Sequence, residues 1–220
     1  MTNVRNAGRI AGALLIAQGI GGFVVNFVLL QPAIDPPGFL VNATPHAVRV
    51  GAAALLGILT GALALAIAIT MLPVLRKFSE RMALSFIALG CVALALAAVE
   101  SGTMMSLLSL SKAYVESGTD AASFDGLRRI VAASRNWAHY THLAIGGLTL
   151  SIFYIALLRF ALIPRALAAF GLLAVALQIS TISRPFFGAP VVFFLLAPLG
   201  LANLSVALWL LIKDFPDKST

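Results

Sequence analysis

Long apolar runs separated by short polar breaks dominate this chain. Six segments stay apolar for about the length that a 30 Å hydrocarbon core demands of a helix, roughly 20 residues: about Gly8–Leu30, Ala47–Leu72, Met82–Leu110, His139–Ile163, Ala166–Ser183 and Val191–Ile212. The runs are continuous rather than alternating and rich in Ala, Leu and Gly, which predicts helices and not the period-two pattern of barrel strands. The expected fold class is therefore all-α: a polytopic membrane bundle of six transmembrane helices forming a single transmembrane domain over 1–220. Arg5 and Arg9 before the first run imitate a signal peptide, but the run continues to Leu30 without a small-residue cleavage site, so it reads as an uncleaved span.

Two connections are long. Gln31–Pro45 holds Pro32, Pro36, Pro37 and Pro45 and predicts an extended loop. Ser111–Asn136 predicts a separate lid helix starting near Ser123, with Asp125 in its first turn. Its Phe124, Leu127 and Val131 share one face, and Trp137 and Tyr140 would anchor it at headgroup level. The second and third spans are expected to turn at Pro73, and the fourth and fifth at Pro164. Gly8 and Gly12, and Gly57 and Gly61, are spaced four apart, which suits close helix packing.

Composition agrees with the pattern. Hydrophobic residues make up 60% of 220 positions and charged residues 10%, too little polar surface for a soluble domain. The formal charge of +7 does not indicate nucleic acid, because the bases lie at the ends of apolar runs rather than in one patch. Arg5, Arg9, Arg76, Lys77, Arg81, Arg159, Arg165, Lys213 and Lys218 fall on one side; Arg49, Lys112, Arg128, Arg129, Arg135 and Arg184 fall on the other. The positive-inside rule then makes both termini cytoplasmic. Cys91 is the single cysteine, so neither an intrachain disulfide nor a cysteine metal site is available.

Glu100 is the one acid inside an apolar run. An ionisable group there costs about 2.5–3.5 kcal/mol at mid-membrane and normally faces a partner or a water-filled cavity. It lies eighteen positions after Met82, roughly 27 Å along a helix, near the outer edge of the core. Asn26, Arg49, His139, His142 and Arg184 fall at a similar level, with Gln178 and Asn203 deeper. These positions predict an outward-facing polar pocket in which Arg49, Glu100, Asn26, Asn203 and Arg184 bind a ligand, with Arg49 as the ion-pair partner of Glu100. His139 and His142 share a helical face and, with His46 and Glu100, are the residue types that bind zinc; bis-histidine haem ligation fits the placement less well. No HExxH, phosphate loop or Ser/His/Asp order is present.

Several segments resemble one bacterial family: Ala7-Gly-Arg-Ile-Ala-Gly, Val48-Arg49-Val50-Gly51, Leu162-Ile-Pro-Arg-Ala-Leu and the closing Leu208-Trp-Leu-Leu-Ile-Lys213. They are similar to the membrane family catalogued as domain of unknown function 4386, over essentially the whole chain. The resemblance implies a multi-span protein of the bacterial inner membrane and brings no activity or cofactor. In that family's pattern an acid is common at the positions of Asn26 and Asn203, and an amide at that of Glu100. The resemblance thus implies a carboxylate that moves between helices, which favours binding or structure over general acid–base chemistry. Three functions stay open: binding, with or without transport, of a small amphiphile or lipid headgroup; a membrane enzyme with a histidine-bound metal; and a structural or regulatory membrane protein.

Overall fold

The computed structural model describes residues 6–216. Among these there is no strand, and six helices are long and apolar enough to cross a membrane: Ala7–Ile34, Ala47–Arg76, Glu80–Ser117, Ala121–Arg159, Arg165–Phe187 and Phe193–Lys213. They are called the first to sixth spans below. Within the protein only 22–39% of each apolar stretch is buried. Large side chains such as Ile69, Leu173 and Leu201 stay exposed, as a hydrocarbon solvent allows and water does not. The chain is an all-α, polytopic membrane protein. Arg5 and Lys218 lie outside the described residues.

The chain divides into two compact units, one of residues 1–19, 62–94 and 143–220, the other of residues 20–61 and 95–142. The first unit packs around Met71, Leu75, Phe153, Tyr154, Leu157 and Leu210, all fully buried. Glycine sets the closeness of its helices. A Cβ at Gly12 would lie 2.6 Å from the Ala207 carbonyl, and one at Gly171 would collide with the Tyr154 ring. At Gly8 a Cβ would collide with the Asp214 carboxylate, which instead accepts the Gly8 N–H at 2.7 Å. The expected packing role of Gly8 and Gly12 is thus met by the sixth span. Polar contacts complete the unit. Tyr154 donates its hydroxyl to Asn203 Oδ1 at 2.7 Å, and the buried Thr181 hydroxyl accepts the Val192 N–H at 2.7 Å, closing the link between the fifth and sixth spans.

The second unit has a smaller core of Val25, Leu30, Ala33, Ala43, Val50, Ala53, Met104 and Leu108. Its first span leaves α geometry at Val24 for a π segment, Val24–Leu30, before a last turn, Gln31–Ile34. Gly21 lies against Thr60, where a Cβ would come within 2.5 Å of the threonine methyl.

Three expectations are corrected. Gln31–Pro45 is not an extended loop: it forms the turn Gln31–Ile34 and a short helix, Phe39–Asn42, because Ala33, Leu40 and Ala43 bury and Pro32 occupies a first-turn position where no N–H is missed. Ser111 clasps this segment to the third span, donating to the Leu40 carbonyl at 2.9 Å while accepting the Thr44 N–H at 3.0 Å. The separate lid helix does not exist. The third span runs on to Ser117, and the predicted lid is the start of the continuous helix Asp125–Arg159, with Tyr114 and Phe124 edge to face at 5.5 Å. The second span does not turn at Pro73 but carries it to Arg76, since a proline near a helix end forfeits few backbone bonds.

Two substitutions test this packing. Ser111→Ala should leave a buried N–H and carbonyl unpaired and cost about 1–3 kcal/mol, read as faster limited proteolysis within residues 31–46. Gly12→Leu should overpack the first and sixth spans by about 1–3 kcal/mol, read as a lower unfolding midpoint in detergent; an unchanged midpoint would show that the helices separate freely.

Candidate functional site

Glu100 is carried near the middle of the third span's helix and is 8% exposed. Facing it within the second unit is the N-terminal part of the fourth span, an unbroken helix that brings His139 and His142, one turn apart, to the same carboxylate. His139 Nδ1 lies 2.7 Å from Glu100 Oε1, and His142 Nδ1 lies 2.7 Å from Oε2. Each oxygen thus has its own imidazole, and all three side chains are largely enclosed.

The contacts suit an ionised carboxylate between two N–H donors. An ionised carboxylate only accepts, so both Nδ1 atoms must carry hydrogen and, in neutral imidazoles, both Nε2 atoms are left as lone-pair acceptors. Neither Nε2 has a protein partner among the described residues. With both imidazoles neutral, that arrangement pairs one carboxylate with two oriented acceptors. Nearby polar groups are differently engaged. Thr103 folds its hydroxyl onto the Glu100 carbonyl at 2.6 Å. Ser101 Oγ is buried with no hydrogen-bond partner, in a place kept open by Gly57, where a Cβ would lie 3.0 Å away.

The expected ion pair of Glu100 with Arg49 does not form. Arg49, in the first turn of the second span, is exposed and enters no ion pair among the described residues. Equal depth along two spans does not fix the rotation of either helix, and the fourth span supplies two closer partners. Asn26, within the π segment, donates to the Gly22 carbonyl of its own helix at 2.9 Å. Arg184 and Asn203 belong to the first unit: Arg184 is exposed and braces its loop by donating to the Pro190 carbonyl at 2.8 Å, and Asn203 holds Tyr154.

His46 stands apart in the turn before the second span, and among the described residues no three His, Cys, Asp or Glu side chains are grouped as a metal ion requires. The two histidines come together as their spacing predicts, but around a carboxylate rather than with His46. Ser111, the clasp of the second unit, went unnoticed in the sequence; a serine where an apolar run yields to polar residues carries no distinguishing pattern.

Comparison with known proteins gives one finding. No curated protein and no solved structure matches this chain. The model of one family, described as Domain of unknown function (DUF4386), matches residues 10–213. That match takes in the Glu100 cluster and all six spans but for the first three residues of the first, and the chain belongs to this family.

Proposed function

We propose that this membrane protein binds a small amphiphile or lipid headgroup through hydrogen bonds at the Glu100–His139–His142 cluster. One observation carries the reading: both oxygens of a carboxylate within a membrane span are saturated by the Nδ1 atoms of two histidines, whose Nε2 atoms remain without protein partners. Two donors are what a buried carboxylate's two oxygens demand; the pair of outward lone pairs at Nε2 is what goes beyond that demand. A net negative cluster with two lone pairs suits a ligand that donates, an ammonium or hydroxyl, on an apolar tail. The unpartnered Ser101 hydroxyl, next in sequence to Glu100, supports the same reading. Arg49, one of the exposed cations of this unit, would meet an acidic group on the same ligand. The family resemblance supports the bacterial inner membrane as the location.

A second reading has its own observation. A carboxylate bonded to Nδ1 is how proteins orient an imidazole that ligates metal through Nε2. Two nitrogens alone fall short of the three or four protein ligands of zinc sites, so this reading ranks behind.

Nitrogen NMR of histidine-labelled protein in nanodiscs distinguishes them, with His46 as internal reference. His139 and His142 should both show the Nδ1–H tautomer. Added decylamine should shift their Nε2 resonances and leave His46 unmoved, and decanoate should not. Equal shifts with both amphiphiles, or none, would remove the binding reading, whereas stoichiometric zinc shifting the same nitrogens would favour the metal. Glu100→Gln should abolish the uniform tautomer, because an amide presents one acceptor and one donor to the two rings. The variant should also lose about 1–3 kcal/mol of stability, measured by thermal unfolding in the same nanodiscs.

A further inference from the structure

At one end of the first unit every helix terminus carries a base: Arg9, Arg76, Lys77, Arg81, Arg159, Arg165 and Lys213, all exposed. Contacts confirm the shared end, since Gly8 bonds to Asp214 and the rings of Phe78 and Phe160 stack at 4.6 Å. Only Glu80 and Asp214 oppose these bases among the described residues of the unit, and both are engaged. Glu80 lies 3.9 Å from Arg76, and Asp214 Oδ1 accepts the N–H of Gly8 and of Phe215.

Within this end lies a cleft of about 330 Å³ lined by Leu162, Ile163, Pro164, Trp209, Lys213 and Asp214. The turn that forms one wall is opened by Ala161, whose φ is 50°, and is pinned by the Leu162 N–H on the Leu157 carbonyl at 3.0 Å. Its walls are largely apolar, with an indole that favours the headgroup level of a bilayer, the Lys213 ammonium, and the Asp214 carboxylate, whose Oδ1 is taken up by the N–H of Gly8 and of Phe215. A soluble anion would find one ammonium beside a carboxylate and little else. An amphiphile with an acidic head would find both the charge and the apolar walls.

We propose that this cleft binds an anionic phospholipid, with the phosphate at Lys213 and the glycerol and upper acyl carbons against Trp209 and Pro164. The surrounding bases enrich such lipids at this end, and the cleft selects one for a defined site. The cleft lies at the lower size limit of small-molecule sites, which suits part of a headgroup rather than a whole lipid.

Trp209 reports directly on occupancy. The chain has two tryptophans, so Trp137→Phe, at an exposed position, leaves Trp209 alone. The full-length variant in phosphatidylcholine nanodiscs would receive about a tenth of its lipid as brominated phosphatidylglycerol or, separately, brominated phosphatidylcholine. Quenching by the anionic lipid should exceed that by the neutral lipid by about twofold or more, and Lys213→Gln should remove the excess. Equal quenching by the two lipids would overturn the proposal. So would an excess that survives Lys213→Gln, which would mean a diffuse basic surface, or one that inorganic phosphate at millimolar levels abolishes, which would mean a free-anion site.

Discussion

The cost of an unpartnered polar group in hydrocarbon organises this molecule. Helices meet it for the backbone, and most hydroxyls meet it within their own helix by donating to a carbonyl three or four residues back. Thr60, Thr70, Ser109, Thr149, Ser151 and Ser205 all do so. What remains is a short set of groups that no single helix can satisfy: Ser111, Thr181, Tyr154 with Asn203, and Glu100 with its two histidines. The tertiary structure is specified where these groups meet.

The two units answer the constraint differently. The first uses neutral contacts, a phenol on an amide and a threonine on a backbone strap, together with glycines that let backbones close on their neighbours. Neutral pairs need no counter-charge and tolerate a dry surrounding. The second concentrates its demand in one carboxylate, which needs two donors at once. An ion with oriented lone pairs can discriminate among ligands where a saturated neutral pair cannot.

The six spans were legible because apolar length is a direct reading of bilayer thickness. Their ends were not, because polar residues such as Lys112 and Glu116 suit a helix that leaves the bilayer as well as a loop. Glu100 was legible as a group that must find partners, since an acid in an apolar run is costly alone. Its partner was misjudged. Sequence gives depth along a span but not the rotation of the helix, so Arg49 was expected at the same level yet forms no pair with Glu100. The spacing of His139 and His142 held the signal, and it predicted a shared face correctly. What that face meets is decided by the neighbouring helix.

The order in which the cluster's members are made has a consequence for biogenesis. Glu100 precedes His139 by 39 residues and His142 by 42. At synthesis rates of about 5–20 residues per second, that leaves the acid without its imidazoles for roughly 2–8 s. The third span offers a refuge, because its 38 residues extend roughly 57 Å, well beyond a hydrocarbon core of about 30 Å. A helix with that slack can ride with its acid near the headgroups until the fourth span arrives, then settle. The long hairpin is in this sense a waiting room for a charge whose partners have not yet been translated.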